Sequence, residues 1–470
     1  MPYLTTYVQP PLKLISPNFK PLVRKGTKLI LPWWLKFQTS ISVADIQTDN
    51  LETLAQLYQS FHQGKTRFMM AFRHPSTDDP FCMGYMIWYL LPKLAKKQGI
   101  TLPSLLHYHF IFDRGIPLWA GNYVGKWYSY LGGSSILRGK LDRQGLKSAR
   151  ELFANASLPM MAAPEGGTNG HNERVSALEP GIAQMGFWCV EDILNASRSE
   201  EVFIVPVGIQ YKYLDEPWEN LEKLISKLEK DSGLSLENEN ISDHRKLAPS
   251  RLYQRLLRLA GHLLGKMEDF YRIFYRRELV PTPENFSSEI PTDEEVNENI
   301  NSRLNTLFNV ALEVAEEYFH IHPKGNFIDR CRRLEQAGWD RIYREDIENL
   351  ATLAPVDKGL ANRLAEEASL QIWHMRLVEG LVTVSGKYVK EKPTVDRFAE
   401  VTLLIWELVN RIKGGNISKR PILGKQRVQM TVGEPISVSQ RWETYQTKRR
   451  TAISALTQDL QNSLESMIES

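Results

Sequence analysis

The chain is poor in cysteine, in long apolar runs and in net charge. Three cysteines, Cys82, Cys189 and Cys331, are too widely spaced in 470 residues for a disulfide framework or a metal cluster, and they fit a reducing compartment. No uncharged apolar run approaches the ~20 residues of a spanning helix. The nearest are Leu29–Leu35 and Phe81–Pro92, both short and rich in aromatics. Lys+Arg total 58 against 55 Asp+Glu, so the global positive charge of a nucleic-acid binder is missing. A Gly-x-Ser-x-Gly elbow is absent, which argues against a serine hydrolase. Met1–Pro21 holds five prolines and no apolar stretch, so an export signal is not expected. The expectation is a cytoplasmic protein, peripheral on a membrane surface, without a metal.

What is present is enough apolar material, 42% of residues, for a large core and more than one structural unit. Residues 1–65 read as a leader and one helix, with Ile46, Leu51, Leu54, Leu57 and Tyr58 on one face of Ala44–Phe61. Residues 66–215 alternate strands with helices: strands over Arg67–Phe72, His107–Phe112, Leu158–Ala163 and Val202–Tyr211, helices over Phe81–Ala95 and Gln144–Ala154. Residues 216–420 are mostly helical, and Pro281–Glu298, with three prolines and six acidic residues, reads as an exposed linker. Residues 421–470 return to a strand, Val428–Val432, and a closing helix over Arg441–Ile468. The expected fold is α/β: a mixed sheet flanked by helices, with a large helical insertion before the last strand.

Two segments suggest a lipid or carrier contact. Arg251–Arg277 sets seven basic residues beside an apolar stripe; a core-facing helix with a solvated polar face is the favoured reading. Trp33-Trp34 with Lys36 is the second segment, weighed in the same way.

Four groups carry chemistry. His74, just past the first strand, is followed five residues later by Asp79. An imidazole suits the removal of a hydroxyl proton near neutral pH, and a carboxylate on its other nitrogen fixes the tautomer. Pro164-Glu165-Gly166-Gly167-Thr168-Asn169-Gly170 follows an apolar strand, and its glycines allow close backbone approach to a ligand, with amides suited to an anion or oxyanion. Glu165 either holds that turn or orients an acceptor hydroxyl. Arg138, with Arg114 and Lys140 as possible additions, offers a guanidinium for phosphate. Pro206, in Val205-Pro206-Val207-Gly208, is expected to shape a pocket wall. Taken singly, the His74–Asp79 pair reads first as a surface pair and the glycine run first as a plain turn, while Arg138 reads equally as a solvated arginine.

In this order they resemble the four motif blocks of the glycerolipid acyltransferases, a family that includes the lysophosphatidic acid acyltransferases. Arg73-His74-Pro-Ser-Thr-Asp78-Asp79 is similar to the family's Asn-His-x-x-x-x-Asp. Gly132 to Arg138 resembles Gly-x-x-Phe-Ile-x-Arg, with Ser135 in place of Phe. Ala163 to Asn169 resembles Phe-Pro-Glu-Gly-Thr-Arg with one extra glycine, and Val205–Gly208 resembles Val-Pro-Val-Gly. Val432-Gly433-Glu434-Pro435-Ile436 is similar to the closing block.

The resemblance implies transfer of a fatty acyl group from an acyl-carrier-protein or coenzyme A thioester to a glycerolipid hydroxyl. It makes His74 the general base and Asp79 its orienting group. Arg138, Glu165, Gly166, Gly167, Thr168 and Pro206 become substrate-binding residues, and no cofactor beyond the thioester is implied. Two departures stand out: Arg73 replaces the family's Asn, and no Arg follows Thr168. They open a non-phosphorylated alcohol as acceptor. Together with the insertion, the altered third block also opens a non-catalytic, lipid-binding or scaffold role.

Overall fold

The structure is a computed structural model. It describes residues 6–37, 42–138, 141–234, 249–279, 292–347, 349–382, 386–417 and 419–468. The chain divides into two compact units. One comprises Lys13–Leu137, Leu141–Asp215 and Gly424–Ser470; the other comprises Met1–Leu12, Arg138–Lys140 and Glu216–Leu423.

The first unit is α/β. In chain order it runs α1 (Pro21–Phe37), β1 (Val43–Asp49), α2 (Leu51–His62), β2 (Thr66–Phe72), α3 (Asp79–Tyr85), a π turn (Met86–Leu90), α4 (Leu91–Gln98) and β3 (His109–Asp113). It continues with α5 (Ile116–Ala120), α6 (Asn122–Tyr130), β4 (Gly133–Ile136), α7 (Arg143–Asn155), β5 (Met160–Ala162), α8 (Gly181–Asn195) and β6 (Glu201–Tyr213). The eight-stranded sheet has the order β1-β7-β6-β2-β5-β3-β4, where β7 is Gln426–Val432, and β8 (Ile436–Ser437) pairs with β6. The four strands β2, β3, β4 and β5 are parallel to one another and to β6, whereas β7 and β8 run antiparallel to β6.

The apolar runs read as strands are apolar because both sheet faces are covered. Along β2, Phe68, Met70 and Phe72 enter the core beneath α2, α3 and α4, and Met69 and Ala71 enter the core against α7 and α8. Pro206 would interrupt a central strand, since it cannot donate to a ladder. It is tolerated because the turn between β7 and β8 lies opposite it, where its carbonyl accepts from the Gly433 amide at 2.9 Å.

Several elements differ from expectation. Val43–Asp49 is a strand, not the start of a helix: it pairs in parallel with β7, and Asn50, in the left-handed region at φ 54, separates it from α2. The leader contains α1, seventeen residues long. The closing helix is two, α16 (Trp442–Thr447) and α17 (Arg449–Ser466), broken where Lys448 leaves helical geometry.

The second unit is helical: α9 (Trp218–Ser232), α10 (Pro249–Tyr275), α11 (Asp293–Phe319), α12 (Phe327–Ile342), α13 (Pro355–Leu381), α14 (Gly386–Glu391) and α15 (Val395–Ile412). Of the expected linker, residues 281–291 lie outside the described residues, and Asp293–Glu298 instead open α11, started by a capping box between Thr292 and Glu295. The basic helix α10 faces the core. Its Arg255 is buried in an ion pair with Glu229 at 2.6 Å, and Leu252, Leu256, Leu259 and Leu263 are buried alongside.

Candidate active site

His74 and Glu165 stand just beyond the carboxyl ends of β2 and β5, neighbouring parallel strands, which is where open α/β sheets form ligand crevices. The chain leaves β2 at Phe72, turns through Pro75 to Asp78 and enters α3 at Asp79. That tight turn brings the pair together: His74 Nδ1 lies 2.9 Å from Asp79 Oδ2. Asp79 is fully buried and the His74 side chain is 19% exposed, so the ring bridges carboxylate and solvent.

Asp79 gathers donors on both oxygens. Oδ2 also accepts from the Ser76 amide at 2.8 Å, and Oδ1 accepts from the Tyr211 hydroxyl. With its partners all donating, the carboxylate leaves Nδ1 as the protonated ring nitrogen. Nε2 then carries the lone pair, and it has no hydrogen-bond partner among the described residues. Phe72 supports the ring edge-to-face at 5.6 Å. Burial, reinforced by the Asp79 charge, pushes the Tyr211 hydroxyl well above its usual pKa, so it remains a donor throughout the working range. Cys82 Sγ, 3.6 Å from the same hydroxyl, is likewise pushed up by burial and is no nucleophile.

Glu165 is buried and fully engaged. Oε1 accepts from the His74 main-chain amide at 2.8 Å and lies 3.8 Å from Arg73 Nε; Oε2 accepts from the Asn169 side chain and the Ser176 amide, each at 2.9 Å. Of the two roles left open for Glu165, the geometry fits holding the turn. Gly166 has φ 71, a conformation that favours glycine, and its amide donates to the Ala163 carbonyl at 3.3 Å. That contact closes the turn through the Gly166 amide. Gly167 is half-buried and Thr168 exposed at the outer side of the turn.

Arg73, Arg114 and Arg138 each have partners of their own. Arg73 is 1% exposed, and its guanidinium donates to the carbonyls of His171, Asn172 and Arg174, pinning that loop. Asn169 stands where the family has its third-block arginine, and its amide is shared between Glu165 and the Arg174 carbonyl. Arg114 is buried against Asp142 and the Ser135 hydroxyl. Lys140 lies outside the described residues. Arg138, two residues beyond β4, groups with the helical unit. There it acts on Glu379, whose carboxyl burial pushes up but whose pKa the guanidinia of Arg376 and Arg138 hold below the usual range. Pro206 pairs with Ala71 of β2 inside the sheet.

Tyr211, Ser76 and Asn169 are site residues that sequence reasoning missed. Tyr211 carried a signal: it shares a β6 face with Val205, Val207 and Ile209, and a buried phenol needs a hydrogen-bond partner. Among the described residues no group of His, Cys, Asp or Glu is arranged to hold a metal. No family model, curated protein or solved structure matches the chain.

Proposed function

We propose that the chain is an O-acyltransferase that moves a fatty acyl group from a carrier-protein or coenzyme A thioester to a glycerolipid hydroxyl. The observation that carries this reading is the His74–Asp79 pair: a buried carboxylate fixes one ring nitrogen at 2.9 Å and leaves the other, basic nitrogen at a partly exposed strand end. As the acceptor oxygen adds to the thioester carbonyl carbon, its proton passes to His74 Nε2. Collapse of the tetrahedral adduct breaks the C–S bond, and the imidazolium returns the proton to the leaving thiolate. Asp79 stabilises the imidazolium meanwhile. Ester and thiol leave, and the enzyme is unchanged.

A neutral alcohol is favoured as acceptor over a phosphorylated one. Asn169 stands where the third motif block carries an arginine, and Arg73, which could have compensated for that arginine, is spent on main-chain carbonyls inside the protein.

Among the described residues no helix is long and apolar enough to cross a membrane. Docking of the α/β unit onto a membrane surface is supported by α1. Its inward face buries Arg24, Leu31 and Leu35, and its outward face presents Leu22, Leu29, Ile30, Trp33 and Phe37 beside exposed Lys25 and Lys36.

The test is incubation of purified protein with labelled acyl-carrier-protein and coenzyme A thioesters and a panel of lysophosphatidate, glycerol 3-phosphate, monoacylglycerol and diacylglycerol, with His74→Ala in parallel. The expected result is His74-dependent transfer to the neutral acceptors. Transfer confined to lysophosphatidate would overturn the acceptor assignment. Absence of transfer from either thioester, or full activity in His74→Ala, would overturn the enzyme reading in favour of a lipid-binding scaffold.

A further inference from the structure

The helical unit holds a cavity lined by none of the residues named for acyl transfer. The space open to the centre of a water-sized sphere is about 80 Å³, and the lining comes from α10, α11, α13, α14 and α15. Among the described residues no charged side chain lines it. Among the same described residues its only side-chain polar groups are the hydroxyls of Tyr253 and Tyr271, and both are engaged: Tyr253 accepts from Asn297, and the Tyr271 hydroxyl lies 2.8 Å from His374 Nδ1.

Volume alone would admit several waters, since one needs ~10–15 Å³. Each water also needs two or more polar partners, and these walls offer none. The space therefore favours an apolar occupant.

Its shape narrows the class. The α10 lining runs from Tyr253 to Tyr271, which is ~27 Å of helix, and the α11 lining from Ile300 to Ala311 is ~16 Å. An acyl chain in one membrane leaflet spans ~15 Å, half the hydrocarbon thickness. An apolar lining that follows two helices over such a length suits an extended hydrocarbon chain. Ala260 and Leu304 are half-buried while the rest of the α10 and α11 lining is buried, so they are the α10 and α11 lining residues that solvent reaches most readily.

We propose that the helical unit binds a single hydrocarbon chain of a lipid in this cavity, entering beside Ala260 and Leu304. The proposal stands apart from the reading of the His74 site.

The experiment measures equilibrium binding of octanoate, laurate, palmitate, stearate and palmitoyl-coenzyme A to the full-length protein, with Ala260→Trp, Leu304→Trp and His74→Ala. Affinity is expected to rise about fourfold for each added methylene until the chain fills the cavity, then level off. Ala260→Trp and Leu304→Trp are expected to weaken palmitate at least tenfold with the melting temperature kept. His74→Ala is expected to bind as the parent does, so loss of transfer and loss of binding are separable. Saturation by palmitate marks a free-acid site, and saturation by the thioester alone marks a carrier-borne chain; either supports the proposal when the tryptophan variants abolish it. Affinity independent of chain length, binding untouched by both tryptophan variants, or no saturable binding of any chain would overturn it.

Discussion

His74 and Glu165, 91 residues apart, meet through the main chain: the His74 amide donates to Glu165 Oε1 at 2.8 Å, while the His74 ring faces Asp79 on the other side. Glu165 therefore positions the base without touching its imidazole. Glu165→Gln would set an amide N–H₂ among groups that all donate and leave the buried Arg73 without its counter-charge. The expected loss is about 3 kcal/mol of stability, the lower end for breaking a buried pair. Turnover should fall on the order of a hundredfold through displacement of His74. Urea unfolding together with the transfer assay checks both; a variant of parental stability would show that the network is not the anchor described.

Tyr211 acts on the same base from behind. Its hydroxyl donates to Asp79 Oδ1, the oxygen that His74 does not use. Tyr211→Phe removes one donor from a fully buried carboxylate, a cost of about 1.5–3 kcal/mol for a bond to a charged group. The base itself survives, so kcat should drop about tenfold, well short of the ~100-fold or more that loss of a general base costs. The KM for acceptor should not change. Steady-state kinetics on the variant decides it, and an altered KM with unaltered kcat would count against the assignment.

The parts of this site that the sequence declares are those set by local spacing. His74 and Asp79 sit five apart on one turn, and the strands delivering His74 and Glu165 are short runs apolar on both faces. What it conceals depends on distant partners. Tyr211 reaches Asp79 across 132 positions, and the burial of Arg73 depends on carbonyls about a hundred residues later. Val43–Asp49 was hidden for another reason: the helical spacing from Ile46 to Tyr58 runs through Asn50, whose left-handed backbone ends one element and starts the next. Helix α1 escaped the pattern because Pro32 lies within it and its larger apolar face points outward, the reverse of a core helix.

That outward face gives a prediction about membranes. Leu29 is 80% exposed and Trp33 is 52% exposed, so replacing both with serine removes nothing from the core. Stability should change by less than ~0.5 kcal/mol, as for surface substitutions generally. Partitioning onto anionic phospholipid vesicles should weaken roughly a hundredfold, since two large apolar side chains no longer leave water. Added salt should weaken the parent further by screening Lys25 and Lys36. Vesicle co-sedimentation measures this, and retention of binding in the double variant would place the contact elsewhere.

Two of the buried histidines, His107 and His374, make the fold sensitive to acid. Burial lowers His107 to about 3 and His374 to about 4, from an ordinary value of 6.5. His107 lies in the α/β unit, its ring 2.8 Å from the Leu131 carbonyl, and His374 lies in the helical unit, its Nδ1 2.8 Å from the Tyr271 hydroxyl. Both stay neutral when folded, whereas the unfolded chain protonates them below about pH 6.5. The unfolded state thus binds more protons, and stability falls as pH drops. The contribution is complete above pH 6.5 and is lost progressively toward pH 4 for His374 and pH 3 for His107. Each histidine adds a slope of up to about 1.4 kcal/mol per pH unit within its window. Urea unfolding between about pH 6.5 and 5, above most carboxylate titration, isolates the effect. His107→Gln and His374→Gln should each flatten the pH dependence of unfolding. An unchanged slope in either variant would mean that the histidine already carries its proton when folded.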